Sequence, residues 1–480
     1  MNLSEFDPTA VSDITCDSRC AGHGTAFFCL KGAQSDGHDY AASAYRAGCR
    51  LFICEHSLSL PDDARQLVVP DSRIALAEMS SAFYGRPTEK LRMIGVTGTK
   101  GKSTVSSLIY QILNAAGIKT GLIGTTGIFF DGHHSPTMNS TPESYILHRE
   151  CAAMLKGMAQ VCVLEVSSQA YRNHRVHGIH FDTAVFTNLS PDHISPVEHP
   201  NYEHYRMCKS QLFCNCSRAV LNADDPESEY MLNCLPAASA AIRYGIENPA
   251  PYRAVSIEMT LENGLPGIRY ELEDAPGETY RLHIPGTFNV SNALAATAVC
   301  EGLGIERSVI ARTLEQARIP GRFEAVGHVP GRAFIVDYAH NGLSLSQVLR
   351  VLRSYSPRRL VCVFGSVGGR TVLRREEMGK AAGELADFCI LTSDNPDEED
   401  PMQIIHDIET HLGNCPHVCI ADRREAVAYA VENSREGDVI LFAGKGHEDY
   451  QLIHGVHVPY DERETIRQAI AALIPEHAAE

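Results

Sequence analysis

The segment Gly98-Thr99-Lys100-Gly101-Lys102-Ser103-Thr104 has the clearest chemical purpose in this sequence. It lies between an apolar run at 91–96 and a stretch where Val105, Leu108, Ile109 and Ile112 recur at helical spacing. A strand, a glycine-rich turn and a helix are the setting a phosphate loop requires. Glycines let backbone N–H groups approach phosphate oxygens, and the helix N-terminus adds a positive dipole end. Lys102 would reach the β- and γ-phosphates, and Ser103 would hold Mg²⁺. Val96 stands where the strict pattern has glycine. An ordinary glycine-rich turn is the competing reading. Glu165 follows the apolar run 161–164, where an acid could bind Mg²⁺ directly or through water, or simply be solvated. His193, as a neutral imidazole, could ligate a second metal.

Three regions must position these residues. In 1–90, short apolar runs at 26–30, 51–54 and 67–69 read as buried strands, with helices at 39–48 and 73–84. In 91–320, further strands are expected at 161–164 and 183–186. The stretch 247–286 reads as an antiparallel excursion, and a helix follows at 289–301. From 321 to 480, strands at 333–336, 361–364, 388–392 and 439–442 alternate with helices near 343–353, 375–385, 402–412 and 423–433. That alternation predicts a parallel, doubly wound sheet with ligands beyond the carboxyl ends of its strands.

The chain has 480 residues and a formal net charge of -17, with 44% hydrophobic and 21% charged residues. This composition suits several globular cores and excludes a general nucleic-acid binder, which needs a basic excess. No apolar run approaches the length of a membrane span, and the first residues carry no basic or apolar signal segment. The 16 scattered cysteines, with no C-x-x-C pair, read as free thiols in a reducing cytoplasm.

Together these residues make the chain resemble the Mur ligase family along nearly its whole length, and within it the tripeptide-synthetase branch. The motifs are 98–104, Asn139-Ser140-Thr141-Pro142, Glu165-Val166-Ser167-Ser168, 188–193, Lys209 before Leu212-Phe213, and 289–292. They continue with Pro320-Gly321-Arg322, Asp337-Tyr338-Ala339-His340, Asp394-Asn395-Pro396 and Gly444-Lys445-Gly446-His447-Glu448. The resemblance implies an α/β fold of three domains. These are a small UDP-sugar-binding domain (1–90), a central phosphate-loop ATPase domain with a parallel sheet plus a small antiparallel sheet (91–320), and a Rossmann-like amino-acid-binding domain (321–480). It implies ATP and Mg²⁺ as cofactors and UDP-MurNAc-L-Ala-D-Glu and a free amino acid as partners, in peptidoglycan precursor synthesis. The γ-carboxylate would be phosphorylated and the acyl phosphate attacked by the amine. A cytoplasmic monomer with no nucleic-acid or membrane partner is expected.

The resemblance also implies roles. Lys102, Glu165, His193 and Lys209 would be catalytic, with Lys209 carbamylated into an anionic oxygen ligand. Ser103, Glu165, His193 and carbamylated Lys209 would hold the metal. Gly98, Thr99, Lys100, Gly101, Lys102, Ser103, Thr104, Asn292, Arg322 and Asp337 would contact ATP, with His340 beside them. Asp337 read alone is a strand-end cap. Ser18, Asn139, Ser140, Thr141, Ser167, Asn173 and Arg175 would grip the UDP-sugar dipeptide. Ser140 stands where threonine is common in the family, and Asn173 where glutamine is.

Arg370, Asp394, Asn395, Pro396, Asp397, Gly444 and Glu448 would bind the amino acid. Relatives that add meso-diaminopimelate carry Asp-Asn-Pro-Arg, whose arginine forks onto a carboxylate. Here Asp397 follows the proline, and Glu398, Glu399 and Asp400 follow it. The reversed charge favours a substrate ending in an ammonium, L-lysine or L-ornithine. Meso-diaminopimelate is the alternative, with Arg370, Arg374 or Arg375 as a different carboxylate partner. The acidic run also reads as a solvated helix N-terminus. Another ligase of the superfamily is a further reading, and a non-catalytic nucleotide switch would bind ATP without amino-acid-dependent turnover.

Overall fold

The computed structural model describes residues 8–32, 35–191, 194–195, 198–369 and 372–473. His193 and Arg370 lie outside the described residues. The chain divides into two compact units, Met1–Arg253 with Ser291–Ile310, and Ala254–Val290 with Ala311–Glu480.

In the first unit, a four-stranded parallel sheet runs Asp13–Thr15, Thr25–Phe28, Leu51–Cys54, Arg65–Val68. Strand alternation splits its apolar residues between two layers. Phe27 and Phe52 pack with Ala41 and Ala44 on one face. Phe28 and Ile53 pack with Ala75, Leu76 and Met79 on the other. The larger sheet continues in the parallel order Ala240–Gly245, Cys216–Asn222, Phe181–Phe186, Arg92–Thr97, Val161–Glu165, Thr120–Gly124. Arg92–Thr97 is therefore flanked on both sides. Val96 pairs with Glu165 and Thr97 with Phe186, which delivers Glu165 and Thr187 to the end where the glycine-rich loop begins. Helix Lys102–Ala115 buries Val105, Leu108, Ile109 and Ile112, the stripe its spacing predicts. Helix Tyr202–Cys214 packs directly on the central strand: a Cβ on Gly95 would stand 2.8 Å from Leu212.

In the second unit, a six-stranded sheet has the order Glu324–Ala325, Ala333–Asp337, Asp438–Ala443, Arg359–Phe364, Phe388–Leu391, His417–Cys419. All but the first strand are parallel, and the connecting helices Gly342–Ser354, Val372–Leu385, Pro401–Glu409 and Arg423–Glu432 make it doubly wound. The expected antiparallel excursion is a meander of Tyr252–Glu262, Leu265–Leu272 and Ala275–Leu282. All 16 cysteines are free thiols. No helix among the described residues is long and apolar enough to cross a membrane.

Candidate active site

The glycine-rich loop leaves strand Arg92–Thr97 and enters helix Lys102–Ala115. Gly98 and Gly101 both have positive φ, at 150° and 85°. A Cβ on Gly98 would fall 1.9 Å from Thr187 Oγ1, and one on Gly101 would fall 2.5 Å from Asn292 Oδ1. Only glycine fits either position. The loop is tied to the next strand's end. Thr99 N donates to the Asn188 carbonyl (2.8 Å), Lys100 N to Asn188 Oδ1 (2.9 Å), and Thr187 Oγ1 to the Lys100 carbonyl (2.6 Å). Lys102 Nζ donates to the carbonyls of Gly98 (2.9 Å) and Thr99 (3.0 Å). Lys209 Nζ, almost wholly buried, donates to the Gly98 carbonyl at 2.8 Å and lies over the Tyr205 ring.

Glu165 is buried at the end of its strand. Its carboxylate accepts from Ser103 Oγ (3.1 Å), Thr125 N (2.9 Å) and Thr125 Oγ1 (3.1 Å). A Cβ on Gly124 would fall 2.2 Å from its Oε1, so glycine keeps this cradle open. Hydroxyl and carboxylate oxygens side by side form a hard donor set suited to Mg²⁺. Thr125 and Gly124 were not anticipated. Their only signal is a Gly-Thr-Thr-Gly turn at 124–127.

A cavity of about 360 Å³ opens beside this loop. Lys102, Asn139, Ser140, Ser167, Ser168, Gln169, Asn173, Arg175 and Lys209 line it. The structure thus gathers the phosphate-loop lysine, the second lysine and five of the seven expected UDP-substrate residues around one space. Thr141 lies beneath, wholly buried, donating to the Glu165 carbonyl (2.7 Å) and accepting from Ser167 N (3.0 Å). Thr125 Oγ1 is also hydrogen-bonded to Ser140 Oγ, at 2.7 Å. Asn173 Nδ2 donates to Gln169 Oε1 at 3.1 Å. The Arg175 guanidinium is shared with Glu143 (2.8 Å) and the Thr141 carbonyl (3.1 Å), and Glu143 is a partner the sequence reading missed. Ser18 does not line this cavity. It sits in a turn after strand Asp13–Thr15, between Asp17 and Arg19, which pair with each other at 2.6 Å.

The second unit holds its own cluster at the carboxyl ends of its parallel strands. Asp337 is buried, and its two oxygens accept from Phe323 N and Ala339 N, both at 2.9 Å. It thereby fastens the turn that carries Arg322 (the cap reading of this residue). Burial pushes the Asp337 carboxyl up, with the Arg322 charge opposing. Arg322 lies over the Tyr338 ring at 5.3 Å. Burial holds His340 below the usual imidazole range; its Nδ1 donates to the Tyr338 carbonyl at 2.8 Å. Lys445, fully buried, donates to Asn395 Oδ1 (2.7 Å) and Glu448 Oε2 (2.8 Å), and lies 3.3 Å from Asp394. Asn395 Nδ2 donates to Glu448 Oε2 at 3.1 Å. A Cβ on Gly444 would stand 2.9 Å from Asp394 Oδ2, and one on Gly368 would fall 1.9 Å from the Pro396 carbonyl oxygen.

The acidic run resolves residue by residue. Asp397 Oδ1 accepts from Gly455 N at 2.8 Å, in the turn of the hairpin Tyr450–Ile453 and Val456–Pro459. Glu399 pairs with Arg375 at 2.6 Å, and Arg375 also pairs with Asp407 at 2.7 Å. Asp400 caps helix Pro401–Glu409. The helix-terminus reading therefore describes Asp400, whereas the carboxylate of Asp397 is engaged by a backbone amide.

Comparison with known proteins adds a lineage to this geometry. Residues 10–84 match the Mur ligase family catalytic domain, 96–300 the Mur ligase middle domain, and 321–446 the Mur ligase glutamate ligase domain. A UDP-N-acetylmuramoyl-L-alanyl-D-glutamate–2,6-diaminopimelate ligase of Geobacillus thermodenitrificans is 41% identical over 470 residues, covering 95% of this chain and 94% of that protein. An enzyme of the same name from Caldanaerobacter subterraneus is 39% identical over 467 residues, covering 96% of this chain and 95% of that one. A solved structure of such a ligase superposes with a TM-score of 0.69 at 30% identity, covering 96% of this chain and 95% of that one.

Proposed function

The chain belongs to the Mur ligase family of ATP- and Mg²⁺-dependent ligases, and from that premise we propose that it adds meso-diaminopimelate to the γ-carboxylate of UDP-MurNAc-L-Ala-D-Glu. The observation that carries this reading is the cavity at the phosphate loop, where Lys102 and Lys209 share one space with Asn139, Ser140, Ser167, Asn173 and Arg175. A carboxylate held there lies beside the loop that holds ATP. One of its oxygens attacks the γ-phosphorus, the bond to the β–γ bridging oxygen breaks, and ADP leaves. The amine nitrogen then attacks the acyl carbon. Phosphate departs with the former carboxylate oxygen, and the amine sheds a proton.

Two anions must meet in the first step, so cations have to offset their repulsion. Lys102 rests on two carbonyls, which exchange readily for phosphate oxygens. Backbone N–H groups of 98–104 and the helix N-terminus supply the rest of the phosphate cradle, with Asn292 against Gly101. Ser103 and Glu165 would hold Mg²⁺, with His193 and carbamylated Lys209 for a second ion. Bound there, Mg²⁺ neutralises charge that develops on the transferring phosphoryl group. Thr125 positions Glu165. Ser18 takes the uridine-diphosphate end, Arg322 and Asp337 belong to the ATP contacts, and the division of labour follows 1–90, 91–320 and 321–480. The reaction places the protein in the cytoplasm.

For the diamino acid, the cluster Asp394, Asn395, Pro396, Gly444 and Glu448, with Arg370, is the docking site. The names of the relatives favour diaminopimelate over the lysine or ornithine expected from Asp397. Engagement of Asp397 by Gly455 N supports the same choice, because one oxygen of that carboxylate is already held by the hairpin turn. L-lysine or L-ornithine is the second reading, carried by the acid that follows Pro396. The test is product mass after incubation with ATP, Mg²⁺, UDP-MurNAc-L-Ala-D-Glu and each amino acid separately. Tripeptide with meso-diaminopimelate is expected. Product with lysine or ornithine alone would establish the second reading, and no product with any of the three would overturn the proposal.

A further inference from the structure

The segment entering helix Tyr202–Cys214 and the helix itself carry three metal-ligating side chains that the ligase chemistry does not use: His199, His204 and Cys208. His204 and Cys208 are four residues apart and share one helical face. Asn201 caps the helix by accepting from His204 N at 2.8 Å, which fixes how the preceding chain turns His199 onto that face. The ligand atoms converge. His199 Nδ1 lies 2.8 Å from His204 Nδ1, Cys208 Sγ lies 3.8 Å from His204 Nδ1, and the three lie within 4.8 Å of one another. His199 and Cys208 are buried and His204 half-buried. On its other side, His199 Nε2 meets Ser168 Oγ at 2.8 Å. That bond orients the ring and leaves Nδ1 for the cluster, as outer partners of metal-bound histidines do.

We propose that His199, His204 and Cys208 bind a thiophilic divalent cation of the Zn²⁺ class, with water in the fourth position. Two imidazoles and a thiolate suit Zn²⁺ and reject Mg²⁺, which takes oxygen ligands. In a tetrahedral site with Zn–N of about 2.0–2.1 Å and Zn–S of about 2.3 Å, ligand nitrogens stand about 3.3 Å apart and sulfur about 3.6 Å from nitrogen. The His199–His204 and His204–Cys208 separations are within about half an ångström of these values, and the His199–Cys208 pair lies within 4.8 Å. On binding, the Cys208 thiol proton passes to solvent, and the proton between the two Nδ1 atoms shifts to Nε2 of the ring that carried it, so both imidazoles bind neutral. The ion replaces a hydrogen-bonded pair by a cross-link. It ties His199, and through it Ser168 on the wall of the cavity, to the helix that carries Lys209. The site is separate from the oxygen donors Ser103 and Glu165, and the proposal does not depend on which diamino acid is used.

The experiment titrates Co²⁺ into the full chain after chelator treatment, with saturating Mg²⁺ present to fill hard oxygen sites. One equivalent should produce a thiolate-to-cobalt charge-transfer band and tetrahedral d–d bands, both displaced by one equivalent of Zn²⁺. Cys208→Ser and His204→Gln should abolish the band, while Cys214→Ser, an exposed thiol on the same helix, should leave it. Ser168→Ala should weaken Zn²⁺ about tenfold, the scale of an outer-partner loss. Zn²⁺ should raise the Tm of the parent and not of His204→Gln. Should Cys208→Ser fail to fold, His204→Gln on its half-buried position still decides. No band in the parent, or an equal band in the folded variants, would overturn the site and leave a hydrogen-bonded histidine pair.

Discussion

Two glycine–lysine turns end parallel strands in this molecule, Gly101-Lys102 in the first unit and Gly444-Lys445 in the second, and they do opposite things with the same charge. Lys102 lines a cavity and rests on the carbonyls of Gly98 and Thr99. Lys445 is fully buried and held by Glu448, Asn395 and Asp394. A carbonyl gives up a lysine readily to phosphate, whereas a buried carboxylate does not. The first turn sets its lysine against backbone carbonyls at the edge of a cavity. The second uses its lysine as the internal counter-ion of an acidic cluster, which lets two carboxylates and an amide stand together at the carboxyl ends of the strands. Partners, more than motif, decide what a glycine–lysine pair does.

The widest separation should come from exchanging the lysines for neutral residues. Lys102→Ala should lower kcat about 1,000-fold, as loss of a transition-state charge partner does, while its melting curve stays within about 0.5 kcal/mol of the parent. Lys445→Met should do the reverse first, costing about 3–5 kcal/mol in chemical denaturation because Asp394 and Glu448 lose their buried partner. A stable Lys445→Met would break the comparison.

Next in size, Glu165→Gln should lower turnover about 100-fold and raise the Mg²⁺ concentration for half-activation, since one oxygen of the hard donor set becomes an amide. An unchanged Mg²⁺ curve would move the metal elsewhere.

A smaller effect distinguishes the second cluster by pH. Burial holds His340 in its neutral form, so its folded pKa lies below the unfolded value near 6.5. Stability from this site is complete above about pH 6.5 and falls as the pH drops through the window below it, by at most about 1.4 kcal/mol per pH unit. His340→Gln should flatten that slope in urea titrations at pH 5 to 7. An unaltered slope would assign the dependence to other groups.

The smallest effect is expected at Asp397. Asp397→Asn keeps an oxygen for Gly455 N, so the preferred diamino acid should stay the same, with kcat/KM within about threefold. A switch of preference would restore the charge argument made from the sequence.

How much of this was legible depended on how the buried faces are written. The phosphate-loop helix shows its stripe openly because Val105, Leu108, Ile109 and Ile112 are all aliphatic. Helix Tyr202–Cys214 buries Tyr205, Cys208, Lys209 and Leu212 at the same spacing, but a cysteine and a lysine in that stripe hide it from a hydrophobicity reading. Lys209 was found by resemblance alone. His199 and Cys208 escaped notice because their meeting depends on how the chain turns into that helix. Thr125 and Glu143 were invisible for a related reason. Each acts through a residue distant in sequence, Glu165 or Arg175, and nothing local marks the pairing. At Asp397 the type and position were plain, yet the Gly455 amide that holds one of its carboxylate oxygens lies 58 residues on.

The central claim, that the cavity at the phosphate loop activates a carboxylate, is tested most directly by following one oxygen. UDP-MurNAc-L-Ala-D-Glu labelled with ¹⁸O in its γ-carboxylate is turned over with ATP, Mg²⁺ and meso-diaminopimelate, and the released phosphate is weighed by mass spectrometry. Phosphate carrying one ¹⁸O per tripeptide formed is expected. Tripeptide accompanied by unlabelled phosphate would contradict it.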